Sequence, residues 1–206
     1  MRRLLALGVL CVALPAAAEV RTWNFRVLLD DRPIGEHVFT LRASGEQLEL
    51  RSEARFDVRL LFVHAYRYRH EAFERWRGGC LTAFESTTDD NGAREFARAT
   101  AHGDRLVVAR PLGSEEHEGC IRTFAYWNPR ILEARALLNS QTGELLPVTV
   151  LLRGEEPVRV GSQTLRAQRY RISAPRLQID VWYSGDDWVA LEAAAAGGRQ
   201  LRYELM

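Results

Sequence analysis

Apolar and polar residues alternate at every second position through most of the chain, a period that predicts β-strands rather than helices. Over 23–29, Trp23, Phe25, Val27 and Leu29 share one face, and Asp30-Asp31-Arg32-Pro33 reads as a turn. The next strand carries Ile34, Val38 and Thr40 on one side and His37, Phe39 and Leu41 on the other. After Ser44-Gly45-Glu46, the row Leu48, Leu50, Ser52, Ala54, Phe56, Val58 alternates with Glu49, Arg51, Glu53, Arg55, Asp57. That pattern is a strand with one dry face and one charged face.

Residues 62–76 repeat the alternation with different chemistry. Phe62, His64, Tyr66, Tyr68, His70, Ala72, Glu74 and Trp76 fall on one side, opposite Arg67, Arg69, Glu71 and Arg75. A straight strand of that length would reach about 50 Å, so a bend or hairpin is expected inside it. Further strands are expected at 80–88, 93–102 and 105–110, with Asp89-Asp90-Asn91-Gly92 as a hairpin signal. Residues 111–119 read as an acidic loop. One helix is expected: Asn128 caps it, Pro129 takes the first turn, the run Ile131 to Leu138 follows, and Asn139 ends it. Strands then resume at 145–153, 157–160, 163–173, 177–184, 188–193 and 199–205. Ten or more short strands with hairpin spacing predict an all-β, mainly antiparallel protein. The expected architecture is a curved sheet, barrel or half-barrel crossed by one short α-helix.

The first eighteen residues interrupt that pattern and read as a secretory signal peptide. Arg2 and Arg3 form the positive start, Leu4 to Leu14 the apolar run, and Ala16-Ala17-Ala18 the cleavage pattern. The run is too short to span a bilayer comfortably. Cys11 follows Leu10 rather than a small residue, against lipidation. The expected organisation is a signal peptide, 1–18, and a single domain, 19–206, exported and periplasmic. No transmembrane segment is expected in the mature chain, although contact with a membrane surface stays open.

Export changes the meaning of the cysteines. Cys80 and Cys120 remain in an oxidising compartment, where a pair reads first as a disulfide closing a loop of about 40 residues. The chain has 28 basic and 27 acidic residues, a formal net charge of +1. Removing Arg2 and Arg3 leaves 26 against 27, a net of −1. That balance gives no electrostatic case for nucleic acid. Every basic residue is Arg, which excludes a Schiff-base lysine.

The side of 62–76 opposite the arginines is the strongest candidate site. A purely structural core would carry Val, Ile and Leu, whereas this one carries Tyr66, Tyr68, His70, Glu74 and Trp76. Each buried polar tip needs a partner or costs on the order of 1–3 kcal/mol. A ligand-holding or water-holding cavity answers that need, and so does an internal network closed by facing strands. The second candidate is Phe124-Ala125-Tyr126-Trp127-Asn128-Pro129, read either as a rim over a cavity, through Tyr126 and Trp127, or as a staple of the helix to the sheet. No metal is expected. His64 and His70 lie about 20 Å apart on a straight strand, and no HExxH or HxH occurs. No cofactor is expected either. Ser52, Ser86 and His70 are available for nucleophilic chemistry, but no GxSxG elbow occurs.

Several segments together carry a resemblance: Trp23-Asn24-Phe25, Leu29-Asp30, Ile34-Gly35, His37-Phe39, the Tyr66-Tyr68-His70 strand, 124–129, and Leu138-Asn139-Ser140-Gln141-Thr142-Gly143. On these the mature chain resembles an uncharacterised family of exported proteobacterial proteins, a domain of unknown function. The resemblance implies a periplasmic β-rich protein and assigns no activity. In outline the chain is also similar to periplasmic lipid-carrier half-barrels, a likeness of architecture only. The expected function is binding or carriage of an apolar or amphipathic, lipid-like ligand. The rivals are an envelope assembly or scaffold protein without a small ligand, its protein partners unknown, and an enzyme using His70 with Tyr68 or Glu74 as an acid–base pair.

Overall fold

The computed structural model describes residues 19–60 and 63–206. The expected signal peptide, 1–18, and Phe62 lie outside the described residues. Fifteen strands follow one another among the described residues: β1 (Glu19–Leu29), β2 (Arg32–Ser44), β3 (Gln47–Leu60), β4 (Val63–Arg77), β5 (Cys80–Asp90), β6 (Ala93–His102), β7 (Arg105–Arg110), β8 (Gly113–Glu118), β9 (Ala136–Leu138), β10 (Leu145–Pro147), β11 (Thr149–Val160), β12 (Gln163–Ala174), β13 (Leu177–Ser184), β14 (Asp187–Ala194) and β15 (Gln200–Leu205).

Thirteen strands form one antiparallel sheet in the order β11-β12-β13-β14-β15-β1-β2-β3-β4-β5-β6-β7-β8. The order is two meanders, β1–β8 and β11–β15, joined where β15 pairs with β1. The all-β expectation holds. Asn91-Gly92 closes its hairpin with both residues at positive φ, and Asp89 Oδ1 accepts from the Gly92 N–H at 2.7 Å.

The chain between the meanders, 119–148, is packed into the core of the sheet and is here termed the plug. Its Ala125, Trp127, Ile131, Leu137 and Leu138 are buried in the same cluster as Phe25, Leu50, Trp76, Phe84 and Trp188 of the sheet. A Cys80–Cys120 disulfide, with the two Cα atoms 5.0 Å apart, pins the start of the plug to β5. The Leu81 N–H donates to the Ile121 carbonyl beside it, at 2.9 Å. Further along, Gly143 fits where a side chain could not: a Cβ there would lie 3.0 Å from the Ala97 Cβ, and its φ is +70°.

Four expectations need correction. The helix over 128–138 is absent: only Pro129–Glu133 coils, as one 3₁₀ turn capped by Asn128. Ala134 is extended, and Ala136–Leu138 pairs with Leu145–Pro147 as a two-stranded ribbon. So short a helix has little intrinsic stability. The extended form buries both Leu137 and Leu138 completely, so tertiary packing overrides the helical preference. The second correction concerns the hairpin allowed within 62–76: Val63–Arg77 is a single strand, and the irregular register at Arg75/Trp76 is the local irregularity within it. Third, the acidic stretch read as a loop contributes β8. Fourth, 149–160 is one strand with a bulge at Leu152/Gly154 rather than two.

Candidate functional site

The inward face of β4 carries Tyr68, His70, Ala72, Glu74 and Trp76, all buried, while Arg67, Glu71, Arg75 and Arg77 are exposed on the other face. Antiparallel pairing extends that face into rows across the sheet. One row runs Phe25–His37–Ala54–His70–Thr88, and the next runs Trp23–Phe39–Ser52–Ala72–Ser86–Ala97. Two strand spacings therefore separate His37 from His70, about 10 Å. Ala54 lies between them and Ser52 and Ala72 lie alongside, so the middle of the concave face is floored by small residues.

Above that floor is a cavity of about 220 Å³. Its polar wall is His37, Ser52, His70 and Tyr203, joined by Asn139, Ser140 and Gln141 of the plug. Its apolar wall is Phe39, Leu177, Ile179, Leu191, Ala193 and Leu201, and Phe124 and Tyr126 of the plug complete it. No Arg, Asp or Glu borders it among the described residues. The Gln141 amide donates to the Tyr68 hydroxyl and so ties the plug to β4 at the cavity's edge.

The hydrogen bonds on the polar wall have a definite order. Ser52 Oγ lies 2.7 Å from His37 Nε2, and His37 Nδ1 lies 3.2 Å from the Tyr203 hydroxyl. The His37 ring stacks on Phe39 with centroids 4.0 Å apart. His70 Nδ1 meets Thr88 Oγ1 at 2.9 Å, and its Nε2 has no protein partner among the described residues. Burial, with the nearby His70 in support, holds the His37 pKa well below the ordinary imidazole value. Burial alone lowers His70 to about 4. Both rings are therefore neutral at pH 7. Burial likewise raises the Tyr68, Tyr126 and Tyr203 phenols, which stay protonated.

The residues expected to bind ligand divide into groups. His70 and Tyr126 border the cavity, and Tyr68 reaches it through Gln141. Tyr66 is half-buried further along β4, near Asp90. Glu74, Trp76 and Trp127 belong to a separate, filled region. There Trp76 donates its indole N–H to Glu74 at 3.0 Å and meets Trp127 edge-on, with centroids 5.5 Å apart. Burial raises the Glu74 pKa to about 7, against the opposing pull of the Thr123 hydroxyl and the Trp76 indole. Sequence reasoning missed His37, Tyr203 and Gln141 as partners of this site and met Ser52 only beside Ser86, as one of two available serines. The one signal that pointed to them was a histidine on an otherwise aromatic and aliphatic strand face.

Among the described residues, no three His, Cys, Asp or Glu side chains group as metal ligands would. No helix there is long and apolar enough to cross a membrane.

Residues 25–206 match a family described as a domain of unknown function, DUF6134. No curated protein matches the chain. Among solved structures, the chain is similar to a beta-barrel-like protein of domain of unknown function DUF1849 from Brucella abortus. The TM-score is 0.63 at 11% identity, over 94% of this chain and 98% of that one. At that identity the likeness extends to the fold alone.

Proposed function

The chain belongs to the DUF6134 family, and from that premise we propose that it is an exported, periplasmic binding or carrier protein for a small, uncharged amphipathic ligand. The observation that carries this reading is the cavity wall, a hydrogen-bonding side facing a larger aliphatic and aromatic side, with no Arg, Asp or Glu on it among the described residues. A hydroxyl, ester or amide head would meet His70 Nε2, Ser52 and Gln141, and an alkyl body would lie against Leu177, Ile179, Leu191 and Leu201. A carboxylate or ammonium head would lose its hydration with no counter-charge to replace it, which is costly. Size limits the ligand further. About 220 Å³ exceeds the roughly 150 Å³ that holds benzene and falls short of the roughly 300–1,000 Å³ of drug-sized sites. The cavity therefore suits a short-chain molecule, or the end of a longer one that continues past Gln141, which is exposed.

Native mass spectrometry of the protein released gently from the export compartment tests this reading. The expected result is a bound neutral amphiphile that organic extraction removes. A consistently empty protein that also fails to take up n-octanol would overturn it.

One observation favours the scaffold reading as a second possibility. Leu151 and Leu152 are 51% and 59% exposed on β11, which is the end strand of the sheet. Photocrosslinking from position 152 in living cells would capture a protein partner on that reading and none on the carrier reading.

A further inference from the structure

The hydrogen-bonded series Ser52–His37–Tyr203 does more than satisfy three polar groups. Its order is hydroxyl, imidazole, then a third group on the far ring nitrogen, which is the arrangement that activates a serine. The spacing of 2.7 Å between Ser52 Oγ and His37 Nε2 is within reach for proton transfer. With the proton on Nδ1 donated to the Tyr203 oxygen at 3.2 Å, Nε2 is left free to accept the Ser52 proton. Ser52 and His37 both border the cavity, so a bound molecule meets this pair directly.

The two residues reach each other because Ser52 pairs with Phe39 on β2, two residues along from His37 and on the same face. This diagonal contact between neighbouring strands is within reach of a histidine. The stack of His37 on Phe39 fixes the ring plane. Across the floor, His70 borders the same cavity, with its Nδ1 engaged by Thr88 and its Nε2 left for a bound molecule.

We propose that the Ser52–His37–Tyr203 series makes this cavity an acyl-transfer site for small uncharged esters. The proposal rests on the cavity admitting a neutral amphiphile. Ser52 Oγ attacks the ester carbonyl carbon and its proton passes to His37 Nε2. The carbon–oxygen bond to the alcohol breaks, and the alcohol leaves with the proton from Nε2. Water then attacks the acyl-serine, giving its proton to His37 and releasing the carboxylic acid as Ser52 recovers a proton. Tyr203 is a positioning residue that holds the tautomer. The carboxylate product is ionised at neutral pH, so the same uncharged wall that admits the ester expels the acid.

The test uses the exported chain with p-nitrophenyl butyrate, and with a butyl aryl ether of the same shape as a ligand that cannot react. The expected result is a burst of p-nitrophenolate approaching one equivalent per chain, with a butyryl group found on Ser52 by peptide mass spectrometry. Ser52→Ala abolishes the burst and leaves the circular-dichroism spectrum of the folded chain unchanged. His37→Gln lowers the acylation rate by roughly 10²–10⁴. Tyr203→Phe, which preserves the ring packing, lowers it less and moves its pH profile, an effect a merely structural tyrosine would not have. Ether binding without acylation, or acylation on any residue but Ser52, overturns the proposal and leaves the carrier reading intact. Failure of both ether binding and acylation overturns the two together.

Discussion

Tyr68 and His70 at one end of β4, and Glu74 and Trp76 at the other, alternate in the same register and face the same side of the sheet. The cavity of about 220 Å³ between sheet and plug is bordered by His70 of the first pair and by neither member of the second. The difference lies in their neighbours. His70 is flanked by Ala54 and Thr88, with Ser52 and Ser86 flanking Ala72 one row on. Trp76 is flanked by Leu48 and Leu81, and Glu74 by Leu50 and Phe84. The plug reinforces the contrast, presenting Trp127 to the second pair and the polar turn Asn139–Gln141 to the first. Alternation determines which way a side chain points. The size of its neighbours on the strands to either side determines whether it meets packing or a hollow.

The comparison breaks most visibly at Trp76. Truncation to Ala in the filled half should cost about 3–5 kcal/mol of unfolding free energy in urea titration. His70→Ala in the hollow half should cost about 1 kcal/mol and act mainly on ligand affinity. The disulfide that anchors the plug comes next: replacing Cys80 and Cys120 with Ser should cost about 2–4 kcal/mol by the same measurement.

Glu74 sharpens the contrast through pH. A carboxyl raised from its ordinary 4.5 to about 7 stabilises the fold fully below pH 4.5, and loses that contribution as pH rises to about 7. The lowered His37 and His70 act in the opposite sense, losing stability as pH falls below about 6.5. Glu74→Gln keeps the oxygen that accepts from Trp76 and removes the proton equilibrium. The variant should therefore gain on the wild type between pH 4.5 and 7, ending up to roughly 3 kcal/mol more stable at pH 8. Identical pH profiles for the two would show that Glu74 is solvated. The smallest stability effect is expected at Ala193, which is half-buried on the cavity wall. Ala193→Phe should change stability by under about 1 kcal/mol and lower ligand affinity at least about tenfold, measured by calorimetry.

Much of this was legible in the sequence. The even face of β4 could be read because period-two alternation decides orientation locally, and the bridge between Cys80 and Cys120 followed from their number and from the expectation of export. The helix could not be read correctly. Ile131 to Leu138 has helical composition, and only the burial of Leu137 and Leu138 against the sheet explains why the segment is extended. The series Ser52–His37–Tyr203 was out of reach for a different reason. Its members come from β3, β2 and β15, and their meeting depends on strand register and on the closure of β15 onto β1. The small residues Ala54 and Ala72 were in plain view, and in a sheet of large residues they were the available sign of a hollow.

The central claim is that the cavity selects an uncharged head. The most direct measurement compares n-octanol, octanoate and octylammonium by isothermal calorimetry at pH 7, with Ala193→Phe as the blocked control. The account predicts that octanol binds at least tenfold more tightly than either ion, and that Ala193→Phe removes the difference. Equal affinity for all three, or octanol binding that survives Ala193→Phe, would contradict it.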